Sequence, residues 1–99
     1  MNRHALIINP ADNVANLIGP GSEGDTVECT TEGKDGSASL TLRESIPSNH
    51  KIAPADITAG DAIVKYGMNI GKASCDIQAG QHVHVHNIES NRGRGDLQS

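Results

Sequence analysis

The segment His82-Val83-His84-Val85-His86-Asn87 contains three alternating histidines, in a chain that has five histidines in all. Successive side chains on a β-strand point to opposite faces, so His82, His84 and His86 would share one face. Side chains two residues apart on a strand lie about 6.5–7 Å apart, which allows neighbouring imidazoles to converge on one cation. The spacing predicts a metal site at these three histidines. The site would stay open to substrate, water or another chain, because no further ligand continues the face.

A second interpretation of this segment remains open. Any half-buried strand shows the same alternation, with Val83 and Val85 packed inside and the histidines facing solvent. Histidine is also suited to proton transfer near neutral pH, which makes His84 and His86 candidates for catalysis.

Two further pairs of residues are suited to an anionic ligand. His50-Lys51 follows Pro47-Ser48-Asn49, and a lysine beside a histidine can hold a carboxylate and offer a proton-transfer group. Lys65-Tyr66 contains the one aromatic residue of the chain. The alternatives are an ordinary exposed basic pair at residues 50–51 and a Tyr66 ring that fills the core with its hydroxyl at the surface.

An internal repeat positions these candidates. Residues 55–67 align with residues 75–87 at an offset of 20, and both copies contain Asp-Ile-x-Ala-Gly followed by an apolar strand. Gly60 and Gly80 suit a turn that requires positive φ. The repeat predicts two turn-plus-strand units that pack against each other, which would bring Tyr66 near the aligned His86.

The remaining elements are predicted to be short strands. Residues 6–8 predict a first strand, and residues 11–19 fit either one helical turn capped by Asp12 or a strand. Residues 25–32 and 38–47 predict a hairpin around residues 33–36. A further strand over residues 68–73 is predicted to be interrupted at Gly71. With no helical pattern of ten residues, the fold class is mostly β over residues 1–90, followed by a mobile polar tail over residues 91–99.

Composition excludes some classes of function. The net charge of −4 argues against nucleic-acid binding, and no apolar run approaches the roughly 20 residues of a membrane span. The apolar run of residues 5–8 is short of the roughly 7–15 residues in a signal peptide, so a cytoplasmic location is expected. Cys29 and Cys75 are then free thiols. A core with no Phe or Trp predicts modest stability alone and a partner surface that completes the domain.

Residues 50–87 carry an ordered series of motifs: His50-Lys51, the two Asp-Ile-x-Ala-Gly turns, Lys65-Tyr66-Gly67, Ile70-Gly71 and the histidine segment. With residues 12–15 upstream, the series resembles the small N-terminal module of the altronate dehydratase and galactarate dehydratase family. The same module occurs as the separate small subunit of sulfolactate sulfo-lyase. The resemblance covers nearly the whole chain and is weakest between residues 18 and 45. It implies a SAF-type domain with a β-clip fold.

The resemblance also implies a function. Members of the family are lyases that remove water, or sulfite, next to the carboxylate of a hydroxy acid. It implies a divalent metal, Fe2+ ahead of Mn2+ or Zn2+, shared with a larger catalytic subunit. This chain would be the small subunit or an excised N-terminal domain, inactive alone, and a homo-oligomer is compatible with either.

Under this hypothesis, His82, His84 and His86 meet the metal, and His84 and His86 take part in catalysis. The residues assigned to the anionic hydroxy acid are His50, Lys51, Lys65, Tyr66 and Asn87. Two alternatives remain: a stand-alone SAF-like binding module without catalytic activity, and a solvated histidine strand that only positions the large subunit.

Overall fold

The computed structural model describes residues 3–90, which form nine β-strands in two sheets. One sheet has the order β4-β3-β1-β2-β5-β8 and the other the order β6-β7-β9. The strands are β1 (Arg3–Ile7), β2 (Ala15–Ile18), β3 (Thr26–Thr31), β4 (Ser37–Thr41), β5 (Lys51–Ile52), β6 (Ala62–Lys65), β7 (Met68–Ala73), β8 (His82–Val83) and β9 (Ile88–Ser90). The predicted mostly β class is confirmed. Within residues 3–90 no helix is long and apolar enough to cross a membrane, and the predicted tail over residues 91–99 lies outside the described residues.

Two separate apolar clusters form the core. The first contains Leu17, Val27 and Leu42 and packs on the six-stranded sheet, while the second contains Ile63, Ile77 and Val83. Consecutive residues contribute to different clusters where the chain passes between them. Ala15 and Ile52 belong to the first cluster and Val14 and Ala53 to the second, because neighbouring side chains of an extended segment point in opposite directions.

The ambiguous residues 11–19 form strand β2 rather than a helical turn. β2 pairs antiparallel with β1, and β1 pairs parallel with β3. The side chains of Ala15 and Leu17 are buried and that of Ile18 is exposed, which is the period of a strand. The predicted hairpin of β3 and β4 is confirmed, and Cys29 and Cys75 are both free thiols.

The predicted interruption at Gly71 is a β-bulge and not an end of the strand: the pairing of β6 with β7 shifts register between Ile63, opposite Gly71, and Val64, opposite Asn69. β7 continues from Met68 to Ala73. A Cβ atom at Gly71 would lie 2.5 Å from the carbonyl oxygen of Glu89, which belongs to the neighbouring strand β9. The glycine therefore permits the close approach of another strand.

The two copies of the repeat pack against each other as predicted. Ile57 and Ile77 exchange two backbone hydrogen bonds of 2.8 Å each. The carboxylate of Asp56 accepts the Ala79 N–H at 2.9 Å, and the carboxylate of Asp76 accepts the Ala59 N–H at 2.8 Å. The units are thus related by reciprocal contacts as well as by sequence.

A third copy of the turn is present outside the repeat. In residues 58–61 and 78–81, the fourth side chain accepts the first backbone N–H, and the third residue is a glycine with φ near 90°. Residues 22–25 have the same arrangement, with a 2.8 Å hydrogen bond from the Ser22 N–H to Asp25 and a φ of 91° at Gly24. The sequence contained a signal for it, since Ser-Glu-Gly-Asp and Thr-Ala-Gly-Asp share their last two residues.

Candidate functional site

The histidine segment is a two-residue strand followed by a loop, so the prediction of a strand through His86 is wrong. β8 contains only His82 and Val83, and residues 84–87 form a turn. Val83 is buried, but Val85 is 80% exposed. The two valines therefore do not share an inner face.

Asn87 explains why the strand ends. Its side-chain Nδ2 donates to the His82 carbonyl at 2.7 Å, and its Oδ1 accepts the His84 N–H at 2.9 Å. Its backbone N–H donates to the His84 carbonyl at 3.0 Å. A side-chain amide that bonds nearby backbone groups offers the chain an alternative to the ladder of a sheet. The segment turns as a result.

His50 reaches the histidine segment through the pairing of β5 with β8, in which Lys51 lies opposite Val83. His50 Nδ1 lies 2.8 Å from His82 Nε2, a hydrogen-bond distance at which one of the two rings carries the shared proton. The His50 ring centroid lies 4.9 Å from that of His84, and the rings of His82 and His84 are stacked at 5.2 Å. One potential ligand atom from each of these three residues lies within 4.8 Å of the other two. We refer to His50, His82 and His84 as the histidine cluster.

His86 lies at the edge of this arrangement. Its ring centroid is 5.4 Å from that of His82, and its side chain is exposed. The described residues that can offer ligand atoms to one ion include His50 in place of His86. Two of the three predicted metal ligands therefore belong to the histidine cluster, and its third member was predicted to bind substrate.

The environment of the cluster favours neutral imidazoles. The pKa values of His82 and His84 lie below the ordinary histidine value, because both rings are partly buried and because the charge of a protonated His50 repels a second proton. Glu44 acts in the opposite direction and raises the pKa of His82; its carboxylate accepts the His82 backbone N–H at 3.0 Å. Nothing in the sequence pattern indicated a role for Glu44. A neutral imidazole is the form that binds a metal.

Lys65 and Tyr66 lie at the tip of a tight hairpin. Tyr66 and Gly67 join β6 to β7 with φ values of 55° and 74°, as a two-residue type I′ turn requires. Positive φ is uncommon for a tyrosine. Asp12 stabilises the turn, since its carboxylate accepts the N–H of Tyr66 at 3.0 Å and that of Gly67 at 2.7 Å. The prediction that Asp12 caps a helical turn missed this contact.

The interpretation of Tyr66 as a core residue is also wrong, because its side chain is 56% exposed. Lys65 Nζ lies 4.9 Å from the Tyr66 ring centroid, within the range of a cation–π contact. The ring contacts found within residues 3–90 do not join Tyr66 to His86, although the repeat aligns the two. The end of the first repeat copy, with Tyr66, and the end of the second copy, with His86, therefore present separate sets of side chains.

Lys51 interacts with both the Lys65–Tyr66 hairpin and the histidine cluster. It lines a small cavity together with Lys65 and Tyr66. Partial burial and the positive charge of Lys65 lower the pKa of Lys51, and the charge of Lys51 in turn lowers the pKa of His84. Neither lysine forms an ion pair with a carboxylate in the described part of the chain. The Asp12 carboxylate lines the same cavity, so the two ammonium groups leave one net positive charge there, which favours an external anion.

The donor set of the cluster fits a divalent transition metal. Imidazole nitrogen suits Fe2+ and Zn2+, and the lowered pKa values of His82 and His84 keep their lone pairs available. Three protein ligands leave further coordination positions open, as in catalytic rather than structural sites. The residues present are therefore suited to hold the metal that the resemblance implies.

The chain belongs to the family described as the altronate/galactarate dehydratase SAF domain, whose model matches residues 3–91. It is 40% identical over 84 residues to altronate dehydratase from Escherichia coli (strain K12), which is 85% of this chain and 16% of that protein. It is 38% identical over 64 residues to (2R)-sulfolactate sulfo-lyase subunit alpha from Paracoccus pantotrophus, which is 65% of this chain and 96% of that protein.

Altronate dehydratase from Bacillus subtilis (strain 168) is 49% identical over 53 residues, 54% of this chain and 11% of that protein. The chain thus spans less than a fifth of the altronate dehydratases but nearly all of the Paracoccus subunit. The predicted family is confirmed. Two of these relatives are named as dehydratases and one as the alpha subunit of a sulfo-lyase.

Proposed function

We propose that this chain is the small subunit, or N-terminal domain, of a lyase that removes water or sulfite from a small hydroxy acid together with a larger catalytic subunit. The observation that carries the proposal is the histidine cluster, in which three potential ligand atoms from two separate segments lie within 4.8 Å of one another. The charge of Lys51 acts on His84 in this cluster, and neither Lys51 nor Lys65 forms an ion pair within residues 3–90. A metal site next to an anion site suits elimination beside a carboxylate.

His50, His82 and His84 are the residues that would hold the metal, with Fe2+ as the first candidate and Mn2+ or Zn2+ as alternatives. When bound, the metal would act as a Lewis acid on oxygen atoms of the substrate. The larger subunit is proposed to complete the coordination, because the cluster offers three ligands and is only partly buried.

Lys51 and Lys65 are proposed to attract the carboxylate of the hydroxy acid. Their ammonium groups lack carboxylate partners among residues 3–90, and Tyr66 lies beside Lys65 with an exposed ring. Burial and the charge of Lys65 lower the pKa of Lys51, and a bound anionic substrate would act in the opposite direction.

His84 and His86 are proposed to take part in proton transfer. Elimination takes a proton from the carbon next to the carboxylate and supplies one to a leaving hydroxyl group. His86 is exposed beside the cluster, so it can meet a substrate without serving as a ligand. His86 can serve either step, whereas His84, if it holds the metal, would act only through its other ring nitrogen. The substrate candidates are altronate, galactarate and sulfolactate.

The test is anaerobic purification of the chain from its native cell extract together with whatever it retains. We expect one larger protein to copurify, and the complex to catalyse Fe2+-dependent loss of water or sulfite from one of the three acids. The separated chain should be inactive, and turnover should return when the two are mixed. A chain that is recovered alone and binds its own ligand would contradict the proposal and support a stand-alone binding module.

A further inference from the structure

We propose that Asn87 is the positioning residue of the histidine cluster, because it fixes the backbone of His82 and His84 through the nitrogen and the oxygen of its side-chain amide. The role rests on the proposed function, in which the cluster holds a metal. Asn87 was predicted from the resemblance to bind substrate, whereas the geometry points to an effect exerted through the two histidines.

Both the nitrogen and the oxygen of the Asn87 side-chain amide form hydrogen bonds. Nδ2 donates to the His82 carbonyl at 2.7 Å and Oδ1 accepts the His84 N–H at 2.9 Å. Asn87 is 6% exposed and is the one buried polar residue among residues 3–89. A buried amide that loses its partners is costly, so these bonds hold the loop in one conformation.

The loop conformation determines where the rings lie. In a continuous strand, His82 and His84 would project from one face about 6.5–7 Å apart, and Val85 would face inward. The turn instead stacks the two rings at 5.2 Å and brings the His84 ring to 4.9 Å from that of His50. Because a metal needs its ligand atoms close together, the turn that Asn87 closes favours binding.

A matched control is present in the same chain. Asn13 also bridges two backbone groups, with Nδ2 donating to the Ala62 carbonyl at 2.7 Å and Oδ1 accepting the Val64 N–H at 2.8 Å. These contacts hold strand β6 and do not involve the histidine cluster. Loss of either amide removes two bonds of similar length, but only loss of Asn87 releases the histidines.

The experiment compares Asn87→Ala, Asn87→Asp and Asn13→Ala in the full chain. Co2+ affinity is measured by visible absorption, the imidazole nitrogens of the cluster by NMR without metal, and stability by urea unfolding. We expect Asn87→Ala to weaken Co2+ binding by about 10- to 100-fold, as is typical for partners that orient ligands, and to shift the ring signals. Asn13→Ala, at a half-buried position, should lose less stability and should keep the affinity and the signals.

Asn87→Asp keeps the acceptor for the His84 N–H and loses the donor to the His82 carbonyl. It should fold, give an intermediate loss of affinity and shift the His82 signals most, which also provides the test if Asn87→Ala does not fold. Unchanged affinity and ring signals in both Asn87 variants would overturn the inference. An equal loss of affinity in Asn13→Ala would also overturn it.

Failure of the proposed function gives a different result. If the wild-type chain alone binds neither Co2+ nor Fe2+, the cluster does not hold a metal without the larger subunit, and the metal-free ring signals decide the inference. Shifted signals in the Asn87 variants alone then support the positioning role, and unchanged signals refute it.

Discussion

The two copies of the repeat begin alike and end differently. Both contain the same four-residue turn, and the aligned residues Ile63 and Val83 that follow it are both fully buried. The first copy then continues as β6 into a tight hairpin, whereas the second leaves its strand after Val83 and forms the histidine loop. The equivalent positions 65–67 and 85–87 carry Lys-Tyr-Gly and Val-His-Asn.

The comparison shows that the same paired turns can support two different structures. We call the paired turns of residues 58–61 and 78–81, with the buried residues that follow them, the shared frame. The hairpin tip is residues 65–67, and the histidine loop is residues 84–87. Asp12, which is distant from the hairpin in sequence, stabilises the hairpin tip and allows Tyr66 to adopt a positive φ. Asn87, which is itself part of the histidine loop, stabilises that loop. The shared turns and core place the tips, and the local hydrogen bonds determine which side chains each tip presents. Four predictions test this division, from the largest expected effect to the smallest.

Equivalent substitutions in the shared frame should lower the free energy of unfolding by similar amounts in both copies. Ile57 and Ile77 are both buried and exchange backbone bonds, so Ile57→Ala and Ile77→Ala should each lower the free energy of unfolding by about 2–5 kcal/mol. Urea unfolding followed by circular dichroism measures the loss. Thr58→Ala, at an exposed position, should change it by less than about 0.5 kcal/mol. A large loss in only one copy would show that the frame is not shared.

The histidine cluster should depend on His50 and not on His86. Because His50, His82 and His84 offer the converging ligand atoms, His50→Ala and His84→Ala should each weaken Co2+ binding by more than about 100-fold, beyond the loss typical of an outer partner. His86→Ala should stay within a few-fold of wild type, and it serves as the control. The opposite ranking would restore the originally predicted set of ligands.

The hairpin tip should depend on Asp12. Asp12→Ala removes a charged acceptor from the N–H groups of Tyr66 and Gly67 and should lower the free energy of unfolding by about 1–3 kcal/mol. Hydrogen exchange at these two amides should accelerate while Co2+ affinity is unchanged. Asp35→Ala, which removes an exposed carboxylate, is the control. A loss of Co2+ affinity in Asp12→Ala would mean that the two tips are coupled.

Acid should destabilise the histidine loop slightly. The pKa values of His82 and His84 are depressed in the fold, so the unfolded chain takes up protons first as the pH falls below about 6.5. The free energy of unfolding should therefore decrease from that pH down to the folded pKa values and then level off. NMR titration of the two rings gives the midpoints, and a His82→Gln, His84→Gln double variant should flatten the slope. Ring midpoints above the ordinary value would contradict the account.

The sequence predicted the frame better than the site. The offset repeat and its glycines identified the paired turns, since local turn chemistry is readable from residue type. The alternation of residues 82–86 is typical of any half-buried strand, and it does not indicate that the side chain of Asn87 competes for the backbone groups. His50 joins His82 across 32 positions of sequence, so its place in the cluster depends on the pairing of β5 with β8 rather than on a local pattern.

The central claim is that the histidine cluster serves a lyase, and the most direct test is made on the assembled enzyme. In the purified complex, the wild-type chain is replaced by its His82→Ala variant. Bound metal and turnover of the hydroxy acid are then measured on the same sample. We predict that both fall together, while a complex containing Asp35→Ala, which changes an exposed residue, keeps both. Full turnover by the His82→Ala complex would contradict the account.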